Sequence, residues 1–231
     1  MAVYLDHNAT SPLHEDVLQA MLPVMQSMVG NPSSLHRFGR LQKDTIEGAR
    51  QQVADLVDAH PEQVIFTSGG TEANNLLLKG LAVSADINRL ALSKVEHMSL
   101  LEPAAELADQ CAVDFIAVDK DGKVTAQLLE QAIRPDTRLV SVMSANNETG
   151  VIQDIRTLAE IAGRKEIWFH TDASQAAGKI EVSFKDWGVH AMTLSSHKLY
   201  GPPGAGALVI DKGLPLHALL HGGVQEQRLR A

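Results

Sequence analysis

The chain has 231 residues, 45% hydrophobic and 21% charged, the balance of an ordinary globular protein. Its formal net charge of -8, with no basic patch and no interleaving of basic and aromatic residues, argues against nucleic acid as a partner. No apolar run approaches the ~20 residues of a membrane span and no signal-peptide pattern opens the chain, while a single cysteine, Cys111, rules out an internal disulfide framework and fits a reducing cytoplasm.

In chain order, a short apolar run leads into Asp6-His7-Asn8-Ala9-Thr10-Ser11-Pro12, a polar stretch ended by proline. From about Glu15 the spacing of Val17, Met21, Val24 and Met25 predicts a helix. Gly30-Asn31-Pro32-Ser33-Ser34 reads as a turn with candidate capping serines. The apolar set Leu35, Phe38, Leu41, Ile46, Ala49, Val53 and Leu56 predicts one amphipathic helix over 35–59, weakened by Gly39 and Gly48. Strands are then predicted at 64–67, 89–92, 113–118, 139–143, 167–170, 191–194 and 207–210, with helices at 71–81, 100–110, 125–132 and 155–162. These seven strands are short and nearly wholly apolar. That pattern predicts an α/β fold, a mostly parallel seven-stranded sheet covered by helices on both faces. In such sheets ligands sit beyond the carboxyl ends of the strands, so the residues that follow strands are the candidates for chemistry.

After 64–67 comes Ser68-Gly69-Gly70-Thr71-Glu72-Ala73-Asn74-Asn75, a glycine turn running into a helix. Bare N–H groups and the positive helix end make an anion cradle suited to phosphate, with the Thr71 hydroxyl beside it. The spacing fits neither a P-loop nor the dinucleotide fingerprint. His97 follows the second strand, where an imidazole can stack on a flat ring and shuttle protons near neutral pH. Asn146 and Asn147 follow 139–143 and offer amides to a phenolic or carboxylate oxygen. Asp172 follows 167–170; nearly buried there, it needs a cationic or strongly hydrogen-bonding partner, for which the nearby sequence offers Lys179. Lys198 sits between 191–194 and the turn Tyr200-Gly201-Pro202-Pro203-Gly204. Held on a stiff connection at a sheet edge, it is either a solvated loop lysine or a partly desolvated amine able to attack a carbonyl. Taken singly, each residue has a plain structural reading. Together they supply a phosphate cradle, a stacking imidazole, an anion for a ring nitrogen, amides for a ring oxygen and a nucleophilic amine, the set pyridoxal phosphate needs.

The order of these motifs resembles the pyridoxal-phosphate-dependent cysteine desulfurases of the NifS/IscS type, within the class V aminotransferase group. The resemblance runs from Tyr4-Leu5-Asp6-His7-Asn8-Ala9-Thr10 through the glycine turn, Glu96-His97, Asn146-Asn147-Glu148-Thr149-Gly150 and Asp172-Ala173-Ser174-Gln175-Ala176 to Ser195-Ser196-His197-Lys198. It implies the large domain of the fold type I pyridoxal-phosphate enzymes over 15–231, with 1–14 an N-terminal piece of a small domain. By resemblance Lys198 carries the cofactor and His97 stacks on its ring and handles protons. Asp172 pairs with the ring nitrogen and Gln175 with the phenolic oxygen. Gly70, Thr71, Ser195 and His197 hold the phosphate, and Asn147 lies beside the ring oxygen and the substrate carboxylate. The implied substrate is L-cysteine, converted to L-alanine with its sulfur retained as an enzyme persulfide for iron–sulfur cluster or thio-cofactor synthesis. The implied assembly is a cytoplasmic homodimer that hands sulfur to acceptor or scaffold proteins, without a metal ion. Family members continue past the equivalent of His221-Gly222-Gly223-Val224-Gln225 into a Gly-Thr whose threonine reaches the partner's phosphate. Their remaining small domain bears a loop cysteine and a carboxylate-gripping arginine. These are expected to be missing from the 231 residues, and Cys111 reads as a buried core thiol rather than their replacement. Two alternatives stay open: a lyase acting on selenocysteine or another small amino acid, and a non-catalytic cofactor-binding or dimerisation module.

Overall fold

A computed structural model describes residues 3–27, 29–84 and 87–231. Seven strands form one sheet: β1 Val64–Thr67, β2 Arg89–Ser93, β3 Ala112–Ile116, β4 Thr137–Ser141, β5 Trp168–Asp172, β6 Ala191–Ser195 and β7 Gly206–Ile210. Their spatial order is β1-β7-β6-β5-β4-β2-β3. β7 runs antiparallel to both β1 and β6, and every other pairing is parallel. The exception has a cause in chain length: too few residues separate β6 from β7 for the crossover a parallel return requires.

The helices are α1 Glu15–Ser27, α2 Arg37–Leu56, α3 Gly70–Ser84, α4 Met98–Glu106, α5 Ala126–Ala132, α6 Ile155–Gly163 and α7 Phe184–Trp187. α3 and α4 cover one face of the sheet, where Leu76, Leu77, Leu81 and Leu100 pack on Ile65, Leu90, Leu92, Leu139 and Leu208. On the other face Ala54 of α2, Leu129 of α5 and Leu158 and Ala162 of α6 meet Val64, Ala91, Val140, Phe169 and Val209. Successive strand residues therefore go to opposite cores, which is why the strands are apolar at most positions. Each fully buried Leu, Ile or Phe contributes about 1.5–3 kcal/mol.

The predicted boundaries move for local reasons. The helix expected at 35–59 begins after His36, whose side chain caps it by accepting the Gly39 N–H. Gly39 is tolerated because a Cβ there would come 2.3 Å from the Ser34 carbonyl oxygen; the turn and the helix pass too closely for any larger residue. The helix expected at 100–110 is α4 followed by a 3-10 turn, Leu107–Asp109. The short α7 was not expected; Ser183 caps its start and Gly188, at φ 65°, ends it. The apolar stripe read in α1 forms, yet Val24 and Met25 stay exposed. Among the described residues no helix is long and apolar enough to cross a membrane.

Candidate active site

Five strand ends and the loops that follow them converge on a cavity of about 450 Å³. Its lining includes all nine residues to which the resemblance gives a role: Gly70, Thr71, His97, Asn147, Asp172, Gln175, Ser195, His197 and Lys198. The first turn of α3 forms one wall. Its leading N–H groups have no intrahelical partner, and β7 approaches the glycine turn so closely that a Cβ on Gly206 would lie 2.6 Å from the Gly69 Cα. Glycine at 206 is what allows the sheet edge and the cradle to meet.

His97 caps α4: its Nδ1 accepts the Ser99 N–H at 3.1 Å and contacts the Ser99 Oγ at 2.8 Å. The imidazole is thereby fixed through one nitrogen, leaving Nε2 for a ligand. Asn147 is positioned by its neighbour. The Asn146 amide holds its own loop, with Oδ1 accepting from the Glu148 and Thr149 N–H groups and Nδ2 donating to the Val95 carbonyl. Of the two amides offered by the sequence, only Asn147 reaches the cavity.

Asp172 ends β5 at 6% exposure. Its Oδ1 accepts the Ser174 N–H at 2.9 Å and its Oδ2 accepts Asn74 Nδ2 at 2.9 Å. The expected partner, Lys179, instead donates to Gln175 Oε1 at 2.8 Å. A lysine seven residues on lies beyond the strand end and cannot double back to the carboxylate, whereas Asn74 reaches it from the facing helix α3. An aspartate has about four lone-pair sites, so this one keeps capacity for a protonated ring nitrogen.

Lys198 is half-buried in the 3-10 turn after β6. Its amine donates to the Asn8 carbonyl and, at 2.7 Å, to the Ala9 carbonyl. Burial pushes its pKa down and the nearby Lys179 ammonium adds to the effect, the direction that frees an amine lone pair. The carbonyls belong to an N-terminal strap that the sequence reading did not connect with the lysine. Ser11 pins it, its N–H and hydroxyl both donating to the His197 carbonyl while its Oγ accepts the Tyr200 N–H. Gln175 Nε2 also donates to the Asn8 carbonyl. Thr10 Oγ1 lies 3.1 Å from His197 Nδ1, and burial followed by the Lys198 charge lowers the His197 pKa.

Other residues missed from the sequence are buried polar groups behind the cavity. Asn74 is fully buried, and Glu96 is 6% exposed with Oε2 lacking any partner among the described residues. Their signal was present: Asn74 interrupts the apolar stripe of Ala73, Leu77 and Leu81, where an amide must be spoken for. Cys111 is buried outside this cavity, and burial raises its thiol pKa. A wider groove of about 1180 Å³, walled by α2 and residues 224–229, contains none of the residues that carry the chemistry.

The aminotransferase class-V family profile matches residues 3–229. A protein named cysteine desulfurase IscS from Dictyoglomus turgidum is 46% identical over 99% of this chain and 59% of its own length. Another of that name from Methanosarcina thermophila is 44% identical over 100% of the chain and 58% of its own length. Among solved structures, a NifS-like protein superposes with a TM-score of 0.97 at 37% identity, covering 100% of this chain and 65% of that one. A structure titled SspA in complex with cysteine superposes with a TM-score of 0.96 at 35% identity, covering 100% and 68%. The chain thus spans about three-fifths of the length of the curated relatives it matches. With the profile spanning nearly every residue and the strand-end residues gathered in one cavity, the chain belongs to the aminotransferase class-V family.

Proposed function

We propose that this chain is the pyridoxal-phosphate-binding portion of a cysteine desulfurase, an enzyme that breaks the C–S bond of L-cysteine, leaves L-alanine and passes the sulfur to an acceptor. The observation that carries this reading is the single cavity lined by Lys198, Asp172, His97 and the α3 cradle. Each group in it fits one part of the cofactor. The α3 N-terminus, Thr71, Ser195 and His197 would hold the phosphate. Asp172 has lone-pair capacity for the ring nitrogen. Gln175 and Asn147 would serve the phenolic oxygen, Gln175 through the second N–H of its Nε2, the first being held by the Asn8 carbonyl.

Pyridoxal phosphate, when bound, supplies an electron sink for the carbon skeleton of an amino acid. The protein's own part is binding and proton handling. Lys198, depressed in pKa, would provide the amine that holds the cofactor. Asp172 would hold a proton on the ring nitrogen, and His97, fixed through Nδ1, would offer Nε2 as the site at which a proton is held or moved. We further propose the division at residue 14, with the strap of residues 1–14 belonging to a small domain, and a homodimer as the working form. The exposed apolar side chains of Leu5, Met25, Leu35 and Phe38 support a covered N-terminal face in that assembly.

Titration of the purified chain with pyridoxal phosphate tests the cofactor reading. A visible absorbance band is expected, absent from Lys198→Ala; no band, or one that persists in the variant, overturns it. The substrate is tested on the gene product at the relatives' full length, by measuring alanine and persulfide from cysteine beside alanine from selenocysteine. Preference for selenocysteine, or binding without turnover of either, would replace the desulfurase reading by one of its alternatives.

A further inference from the structure

Behind the cavity lies an unbroken line of hydrogen bonds among buried side chains that ends at residues lining it. Ser141 Oγ meets His170 Nδ1 at 2.9 Å, and His170 Nε2 meets Thr193 Oγ1 at 3.1 Å. Thr193 Oγ1 donates to Asn74 Oδ1 at 2.7 Å. The Asn74 amide nitrogen then divides, donating to Asp172 Oδ2 at 2.9 Å and to Ser99 Oγ at 2.8 Å. Ser99 Oγ completes the second branch at His97 Nδ1, 2.8 Å away. Ser141, His170, Thr193 and Asn74 are all fully buried.

The chemistry of the end groups sets the direction of every bond. An ionised carboxylate only accepts, so the Asn74 NH₂ must face Asp172 and its Oδ1 must face Thr193. Thr193 must then donate, and with its one hydrogen used, its oxygen accepts from His170 Nε2–H. His170 stays neutral, since burial pushes its pKa down to about 4, and its Nδ1 accepts from Ser141. At the other end the Ser99 backbone N–H can only donate. His97 Nδ1 is therefore an acceptor, and the proton of the neutral ring lies on Nε2.

We propose that Asn74 is a positioning residue, whose amide aims the Asp172 carboxylate at a ring nitrogen in the cavity and, through Ser99, holds His97 as the Nε2–H tautomer. The first half rests on the pyridoxal phosphate reading; the second does not. A leucine at 74 would extend the apolar stripe of α3, so packing alone does not call for an amide. The two protons of its nitrogen are shared between the Asp172 carboxylate and Ser99, and through Ser99 with His97, so that two residues lining the cavity depend on one junction. A fully satisfied buried network of this kind fixes geometry because any misdirected bond leaves an unpaired polar group.

The test separates position from packing with two ligands. Asn74→Leu should weaken pyridoxal phosphate by about tenfold. It should leave almost unchanged the affinity for a carbocyclic analogue in which C–H replaces the ring nitrogen, because only the nitrogen answers to Asp172. Equal weakening of both ligands, or of neither, overturns the first half. Wild-type protein that forms no Lys198-dependent band would instead indict the cofactor reading. Should Asn74→Leu fail to fold, Thr193→Val removes only the hydroxyl that orients the amide and is expected to show the same ligand-selective loss. The second half is read without cofactor, by ¹⁵N NMR of the His97 ring. Wild type should show an unprotonated Nδ1, while Ser99→Ala, which removes the hydroxyl that donates to it beside the backbone N–H, and Asn74→Leu, which frees that hydroxyl, should both shift the resonance. An Nδ1 signal unmoved in both variants, or protonated in the wild type, overturns it.

Discussion

Glu96→Gln should change how the stability of this protein depends on pH. The Glu96 carboxyl accepts from Ser93 Oγ at 2.7 Å and the Met143 N–H at 2.6 Å through Oε1, while Oε2 is buried with no partner among the described residues. Burial raises its pKa from 4.5 to about 8, and the Asp172 charge pushes the same way against the two hydrogen bonds. Between these values the folded protein holds a proton that the unfolded chain has released. The stability this group contributes is therefore complete below about pH 4.5 and falls as pH rises, being lost by about pH 8. Each pH unit inside the window costs ~1.4 kcal/mol, so from pH 5 to pH 7 Glu96 alone removes about 2.5 kcal/mol. Glutamine keeps an oxygen for Ser93 and Met143 and never ionises. Urea unfolding of both proteins at pH 5, 6, 7 and 8 checks the point, because every other titrating group cancels in the difference. The variant should gain on the wild type by about 2–3 kcal/mol between pH 5 and pH 7, then level off above pH 8. Parallel stability curves would refute the reasoning and mean that Glu96 ionises freely in the fold.

Two further outcomes follow from groups outside the cavity. Arg50→Met should cost about 3–5 kcal/mol by urea unfolding. It breaks the buried pair with Glu226, 2.8 Å away, and leaves that carboxylate with only the Phe66 N–H; a loss below about 1 kcal/mol would show that residues 220–231 are not held against β1. Gly206→Ala places a Cβ 2.6 Å from Gly69 Cα, so it should lower stability by about 1–3 kcal/mol and weaken pyridoxal phosphate more than Gly163→Ala, where a Cβ meets nothing within 4 Å. Equal ligand affinity in the two alanine variants would separate Gly206 from the cradle.

What the sequence disclosed follows from what repeats along a chain. Strands buried on both faces are apolar at most positions, so Val64–Thr67 and Ala191–Ser195 were legible to within a residue. The carboxyl-end rule then placed His97, Asp172 and Lys198 on one side of the sheet before any contact was known. Ladder ends were less legible. The strand expected at 139–143 stops at Ser141, because the Met143 N–H is taken by the Glu96 carboxyl, a partner from another strand end. Asp172 is a similar case: its partner is not Lys179 along the chain but Asn74, across the sheet on α3.

The same limit explains why the strap over Lys198 stayed hidden. Backbone carbonyls carry no residue signature, so nothing in Asn8 or Ala9 announces that their oxygens will receive the lysine amine. Yet the contact bears on reactivity, since a neutral amine that gives its two N–H groups to two carbonyls has its lone pair turned away from them, toward an incoming electrophile. Ser11 ties the strap to the same turn through the His197 carbonyl and the Tyr200 N–H. Lysine and strap are thus registered to each other through the turn that carries Lys198. The depressed pKa of Lys198 readies the amine, and the Asn8 and Ala9 carbonyls decide where it waits.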